Sequence, residues 1–236
     1  MSEKKLIYLH PVPVRIWHWL NALGIVTLCL TGAQIRFPEY LNIFGSYRAA
    51  IVLHNTAGLV VAISFSLWFF YYTMGSRMIT KLYVPGVEDL KRGVLRQAFF
   101  YFFLYFFGCP NPHHATPDNK FNPMQKSAYL AIMFVLVPLV SLTGILLMNV
   151  SPLRELVLMV GGLKLLVGLH FLLACSLCAF LFTHVYLTTL GHTPLAHTKS
   201  MWTGWEEEDD HGEDGEKAHQ AKPLADPAMV RVKASS

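Results

Sequence analysis

The chain has 236 residues, of which 53% are hydrophobic and only 14% are charged. A water-soluble domain usually has about 25% charged residues, so the composition excludes an ordinary soluble domain and predicts an integral membrane protein. The formal net charge is only +4, so the basic residues matter through their positions, and we expect no nucleic-acid partner.

Four apolar segments are long enough to cross a membrane as helices. They cover about residues 16–35, 51–73, 127–148 and 163–190, and Pro138 is expected to kink the third. The first segment is not a signal peptide, because it contains His18 and Asn21 and no small-residue cleavage site follows it. The predicted fold class is all-α, an integral membrane four-helix bundle formed by residues 1–205.

The long connection between the second and third segments contains QAFFYFFLYFFG at residues 97–108. Its aromatic run, residues 99–107, is too short to span, and aromatic residues favour the membrane–water boundary. We expect an in-plane or half-inserted segment on the cytoplasmic face, which either covers the bundle or forms one wall of an entrance from the lipid. Residues 206–236 are acidic and then rich in Ala, Pro and Lys, which predicts a disordered cytoplasmic tail.

The basic residues predict the orientation in the membrane. Nine basic residues lie before the first span or in the long connection: Lys4, Lys5, Arg15, Arg77, Lys81, Lys91, Arg92, Arg96 and Lys120. Only Arg36, Arg48, Arg154 and Lys164 lie in the other two loops. Because positively charged loops stay on the inner side, both termini and the long connection are predicted to be cytoplasmic.

Four histidines lie inside the predicted spans. His170 and His184 are 14 residues apart in the fourth span, which places them about 21 Å apart along a helix and about 40° apart around it. The predicted topology puts His18 and His184 near the cytoplasmic face, and His54 and His170 near the outer face. Intramembrane ionisable residues are costly and usually functional, so two depth-matched pairs indicate a paired function.

Two histidine pairs at two depths are the ligand sets that two haems require. Neutral imidazole is a good metal ligand, and helix bundles build cofactor sites from inward side chains. We predict two haem b groups, the inner one bound by His18 and His184 and the outer one by His54 and His170. No CxxCH motif is present, so covalent attachment is not expected. The alternative is a haem-free transporter or proton channel whose histidines relay protons.

Other residues near the histidines have two interpretations each. Gly32 and Gly58 could let a porphyrin approach, or could be the small residues common where membrane helices pack. Arg15 could meet a haem propionate, or could be a basic residue of the inner face. The intramembrane cysteines are expected to pack, and the sequence GCPNPHH, with Cys109, His113 and His114, is expected to be a Pro-rich turn rather than a metal site.

Several motifs resemble one known family. PVRIWHW at 13–19, His54, NKFNPMQK at 119–126 and LH…THVY across 169–186 are similar to the dihaem cytochrome b subunits of respiratory complexes. These are the gamma subunit of formate dehydrogenase-N and the cytochrome b subunits of quinone-linked [NiFe] hydrogenases and of thiosulfate reductases. The resemblance covers about residues 10–205.

The resemblance implies a function and a set of partners. The subunit would lie in a bacterial or archaeal cytoplasmic membrane and carry electrons between a periplasmic iron–sulfur or multihaem subunit and menaquinone or ubiquinone. A catalytic subunit would lie beyond that partner, so this chain would not be catalytic on its own. The resemblance places Asn122 and Gln125 at the quinone, whereas the sequence alone also allows Asn122 to cap a helix.

Overall fold

Four long helices dominate the structure, and each is long and apolar enough to cross a membrane. The computed structural model describes residues 6–75, 83–109, 111–113, 121–190 and 193–207. The candidate spans are Val12–Arg36, Tyr47–Met74, Pro123–Met148 and Gly162–Thr188. The prediction of a mostly helical chain with four membrane spans is therefore confirmed. Many of the large apolar side chains on these helices are exposed, as expected for surfaces that face lipid.

The first two spans form a closely packed helix pair. Helix α1 is Val12–Arg36 and helix α2 is Tyr47–Phe70, which a π-helical turn extends over Tyr71–Gly75. A Cβ built at Gly24 would lie 2.5 Å from Cγ2 of Val61, so the missing side chain lets the two helices approach. Across the same contact, Asn21 donates from Nδ2 to Oγ of Ser64 at 2.7 Å.

The aromatic run forms a short amphipathic segment and not a fifth span. A π-helical turn at Asp89–Gly93 leads into α3, Val94–Phe102, and a 3₁₀ turn follows at Leu104–Phe107. Gln97 and Phe100 are buried, whereas Leu95, Phe99 and Phe102 are exposed. The buried face of α3 packs on the start of the third span, and the apolar face points away from the bundle.

The third span changes its helical geometry at the predicted position. It consists of α4, Pro123–Ala131, a π-helical turn at Ile132–Leu136, and α5, Val137–Met148. Pro138 has no backbone N–H and cannot continue the regular ladder. The π-helical turn directly before it is the local adjustment that helices commonly use to accommodate such a break.

The fourth span follows a tight turn that contains a short helix. Helix α6 is Arg154–Met159, and α7 is the long helix Gly162–Thr188. Leu146, Val157 and Leu166 form a buried cluster, which joins the end of α5, the short α6 and the start of α7.

The first and last described segments meet in a small sheet that the sequence did not predict. Helix α8, Ala196–Thr203, leads into β2, Trp205–Glu207, which pairs antiparallel with β1, Leu6–Tyr8. Strands of three residues show too little alternation to be recognised. Of the tail predicted to be disordered, residues 206–236, the structure describes only residues 206 and 207.

Gly204 connects α8 to β2, at a position whose backbone conformation and close contacts require glycine. Its φ is +89°, a conformation that side-chain-bearing residues rarely adopt. A Cβ at this position would also lie 2.6 Å from Cε2 of Tyr8. The close approach of the two chain ends therefore depends on a glycine.

Candidate functional site

His54 of α2 and His170 of α7 face each other in the half of the bundle that lies away from the β1–β2 sheet. We call them the outer pair, after their predicted depth. Their ring centroids are 6.3 Å apart, and their ring planes are inclined by 81°.

His18 of α1 and His184 of α7 form a second pair, the inner pair, in the half of the bundle near the sheet. Their ring centroids are 6.2 Å apart, with the planes inclined by 51°. Phe180, one turn before His184, stacks on its ring with centroids 5.7 Å apart. The structure thus brings together the same two pairs that the topology predicted.

Both separations suit two imidazoles on opposite sides of one metal ion. An imidazole nitrogen lies about 2.0 Å from a bound divalent transition metal, and the ring centroid lies about 1.1 Å behind that nitrogen, so two opposed rings have centroids about 6.2 Å apart. Two imidazole rings that simply pack against each other are not restricted to a centroid separation of about 6.2 Å. The geometry of both pairs therefore fits a haem iron between them.

Each outer histidine contacts a threonine that the sequence analysis did not single out. Oγ1 of Thr31 lies 2.9 Å from Nδ1 of His54, and Oγ1 of Thr143 lies 2.9 Å from Nδ1 of His170. Thr31 belongs to α1 and Thr143 to α5, so the first contact joins α1 to α2 and the second joins α5 to α7. A signal was present, because the tripeptide Leu-Thr-Gly occurs at 30–32 and again at 142–144.

The hydroxyl group of each of these threonines also donates a hydrogen bond to a backbone carbonyl oxygen of its own helix. Thr31 donates to the carbonyl oxygen of Thr27 at 2.7 Å, and Thr143 donates to that of Leu139 at 2.8 Å. With its proton on that carbonyl, each hydroxyl oxygen can accept a hydrogen bond from the histidine Nδ1–H. The backbone of Leu28 also forms a hydrogen bond with His54, and that of Val140 with His170. With Nδ1 as the donor, the lone pair of Nε2 of each outer imidazole is left for a metal.

Glycines lie directly beside the outer rings. A Cβ at Gly32 would be 3.4 Å from Cε1 of His54, and a Cβ at Gly144 would be 3.3 Å from Cε1 of His170. Gly32 thus makes room for a histidine ring on a neighbouring helix. Gly58 has a different environment, because its Cβ would lie 3.7 Å from Cδ2 of Leu28 in α1, which is ordinary helix packing.

Helix α7 packs closely along α5 and meets α1 at separate points. The thiols of Cys29 in α1 and Cys178 in α7 are hydrogen-bond partners, and the guanidinium of Arg36 in α1 lies 5.5 Å from the ring centroid of Phe171 in α7. Cys178 lies between His170 and His184 along α7, so the thiol contact separates the two histidine pairs.

Arg15 lies beside the inner pair and contacts the C-terminal helix. Its Nη1 donates to the carbonyl oxygen of Trp202. Its Nε, like Nδ1 of His18, is buried and has no hydrogen-bond partner among the described residues. Buried polar atoms are almost always paired, so the Nε donor of Arg15 fits an anionic group bound next to the inner pair.

Asn122 and Gln125 form a capping box at the start of α4. Oδ1 of Asn122 accepts from the backbone N–H of Gln125 at 2.8 Å, and Oε1 of Gln125 accepts from the backbone N–H of Asn122 at 3.0 Å. Nδ2 of Asn122 donates to the hydroxyl of Tyr101 at 3.3 Å. Of the two interpretations that the sequence allowed, this geometry supports helix capping. Burial raises the pKa of Tyr101, so its phenol stays protonated at neutral pH.

The structure describes Cys109 and residues 111–113 of the GCPNPHH sequence. The backbone N–H of His113 donates to Oδ1 of Asn111 at 3.1 Å, and Cys109 is exposed with a free thiol. No group of three or more potential metal ligands occurs among the described residues. His114 lies outside them.

Comparison with known proteins identifies a family. The family model described as Prokaryotic cytochrome b561 matches residues 9–204. A cytochrome of Escherichia coli K12, provisionally named YdhU, is 32% identical over 205 residues, which are 84% of this chain and 74% of the relative. No solved structure matches the chain significantly.

Two further relatives have names that refer to complexes. A provisionally named Ni/Fe-hydrogenase B-type cytochrome subunit of Rhizobium leguminosarum bv. viciae is 36% identical over 92 residues, 35% of this chain and 37% of the relative. The formate dehydrogenase cytochrome b556(fdo) subunit of Escherichia coli K12 is 31% identical over 75 residues, 30% of this chain and 36% of the relative. The chain thus matches about a third of the length of each of these two proteins.

Proposed function

Because the chain belongs to the prokaryotic cytochrome b561 family, we propose that it is a membrane electron carrier with two haem b groups. The predicted resemblance to cytochrome b subunits of respiratory complexes is confirmed by the family and by the relatives. The family also implies haem b, and it makes the chain, with its four apolar helices, a multi-pass prokaryotic membrane protein. A haem-free proton relay has no support from these findings.

The observation that carries the proposal is the equal spacing of the two histidine pairs, 6.2 and 6.3 Å between centroids. In the proposal, His18 and His184 bind the inner haem, and His54 and His170 bind the outer haem. An iron with two histidine ligands has no open position, so the group supplies one-electron transfer and not oxygen binding. His170 and His184, both on α7, would hold the two irons about 21 Å apart along the helix axis.

The protein's residues would orient each haem. Thr31 and Thr143 hold the outer imidazoles with Nε2 toward the iron, and Gly32 and Gly144 leave the rings room. At the inner pair, the buried Nε of Arg15 supplies a donor for a propionate. The closure of α8 over this region would limit water access.

The orientation follows from charge. The basic N-terminus and connection place both termini, α3 and the inner pair on the cytoplasmic side. The exposed Leu95, Phe99 and Phe102 of α3 would then lie in the cytoplasmic boundary of the lipid, where aromatic residues are favoured.

A quinone would exchange electrons with the inner haem. An apolar groove of about 610 Å³ lies between α1 and α2. Trp17 and Leu20, which line it, are near His18 in α1. The groove would admit an apolar molecule from the lipid. Contact of Asn122 and Gln125 with the quinone stays a prediction of the resemblance. Electrons would come from a periplasmic iron–sulfur or cytochrome subunit that is joined to a catalytic subunit, as the names of the relatives suggest.

The test is the haem content of histidine variants. Purified protein reduced with dithionite should show b-type absorption bands from two haems per chain. His54→Ala and His170→Ala should each remove the same haem in redox potentiometry, and His18→Ala and His184→Ala should each remove the other. His113→Ala, outside the spans, is the control and should keep both haems. Loss of different haems by the two outer variants would refute the pairing.

A further inference from the structure

The two histidine pairs differ in the hydrogen-bond partners of Nδ1, the ring nitrogen that is not proposed to bind iron. Nδ1 of each outer histidine lies 2.9 Å from a threonine hydroxyl oxygen. At the inner pair, Nδ1 of His18 is buried without a hydrogen-bond partner among the described residues. The outer pair is therefore supported on both sides, and the inner pair lacks this support on at least one side.

A hydrogen bond from Nδ1–H to an acceptor changes the ligand and not only its position. It shifts electron density toward Nε2 and makes the imidazole a more basic ligand. A more basic ligand stabilises the ferric iron relative to the ferrous iron, so the reduction potential falls. The threonine oxygen is the acceptor in this arrangement when its own proton goes to a backbone carbonyl of its helix, which lies 2.7 Å away for Thr31 and 2.8 Å away for Thr143.

We propose that Thr31 and Thr143 are positioning residues that hold the outer histidines with Nε2 toward the iron and lower the reduction potential of the outer haem relative to the inner haem. The inference rests on the proposed function, since it requires an outer haem bound by His54 and His170.

The test uses Thr31→Val and Thr143→Val, which keep the shape of the side chain and remove the hydroxyl. In potentiometry followed by absorption spectra, each variant should raise the midpoint potential of the outer haem and leave that of the inner haem unchanged. At a fixed ambient potential, the ratio of reduced to oxidised outer haem should rise about three- to tenfold, where tenfold corresponds to 59 mV for a one-electron couple. The outer haem is the component that is missing in His54→Ala.

Matched controls separate the hydroxyl from general packing. Thr27 on α1 and Thr183 on α7 make the same bond to the carbonyl four residues earlier, and neither donates to or accepts from a histidine in the described structure. Thr27→Val and Thr183→Val should leave both potentials unchanged. Thr31→Ser and Thr143→Ser keep an acceptor oxygen and should return the outer potential toward the wild-type value, which a purely structural role would not require.

The outcomes are distinguishable. An unchanged outer potential in both valine variants, with both haems bound, would overturn this inference and leave the proposed function standing. Wild-type protein that binds no second haem would overturn the proposed function itself. If one valine variant loses the outer haem, the other decides the matter, because the two threonines act on opposite ligands of the same iron.

Discussion

The indole of Trp202 is stacked on the indole of Trp19, with ring centroids 4.6 Å apart and planes inclined by 28°. Trp19 directly follows His18, so the C-terminal helix α8 packs against the part of α1 that carries an inner histidine. Nε1 of Trp19 also donates to the carbonyl oxygen of Met201 at 3.3 Å. The inner pair therefore depends on α8, whereas the outer pair has no contact with it.

Replacing Trp202 should affect one haem and not the other. A stacked aromatic pair contributes about 0.5–1.5 kcal/mol beyond its buried area, so Trp202→Ala should loosen α8 and speed the loss of the inner haem on mild heating. The measurement is the decay of each haem component in the absorption spectrum. Trp205→Ala is the control, because the ring of Trp205 packs on Tyr8, with ring centroids 5.0 Å apart, and not on Trp19. Equal loss of both haems in Trp202→Ala would contradict the prediction.

An added methyl group at Gly144 should disturb the outer haem. The Cβ would lie 3.3 Å from Cε1 of His170, so the ring must move by a few tenths of an ångström. We expect Gly144→Ala to weaken outer haem binding roughly tenfold, as changes in residues that support a metal ligand commonly do. Reconstitution of apoprotein with haem measures this affinity.

Gly168 provides the matched control on α7. A Cβ there would meet nothing within 4 Å, so Gly168→Ala should bind both haems as the wild type does. Equal weakening by both alanine variants would show that the effect comes from helix flexibility and not from contact with His170.

Two variants of Asn122 separate capping from quinone contact. Asn122→Ala removes the cap and should lower the stability by about 1 kcal/mol, which thermal unfolding would detect. Asn122→Ser keeps an oxygen for the cap but lacks the amide group. The capping box predicts near-normal stability and quinone-linked turnover for the serine variant. Normal stability with lost turnover would instead support contact with the quinone.

Reporter fusions should reveal the orientation. A reporter that is active only in the periplasm should be silent when it follows Ser236, because the charge distribution places the C-terminus in the cytoplasm. The same reporter inserted after Ser151, between the third and fourth spans, should be active. The opposite pattern would reverse the topology and exchange the sides of the two haems.

Hydropathy predicted most of the fold, and the positions of the histidines along the spans predicted how they pair. The four apolar runs predicted the four helices because the length needed to span a membrane is fixed. Depth then paired His18 with His184 and His54 with His170, without any knowledge of how the helices rotate. Asn122 and Gln125 also carried a readable signature, since Asn followed three residues later by Gln is typical of a capping box.

The remaining features depend on relations that a single sequence does not encode. A threonine in a membrane helix bonds to its own backbone whether or not it faces a histidine, so Thr31 and Thr143 resembled Thr27. The sequence allows Gly32 to make room for a porphyrin or to pack against a helix, and only the packing of the helices shows that it lies beside the His54 ring. Strand β1 was invisible because its partner lies almost at the other end of the chain.

The pairing of β1 with β2 has a consequence for biosynthesis. A ribosome makes β1 among the first residues and β2 after all four spans, so the N-terminal strand stays unpaired while the helices enter the membrane. His170 is made before His184, and the contacts of α8 with Arg15 and Trp19 come later still. In the proposed topology, the outer pair would thus be complete first, and the inner pair would stay open to the cytoplasm until the last helix docks, which would leave an interval for haem to be delivered to it from that side.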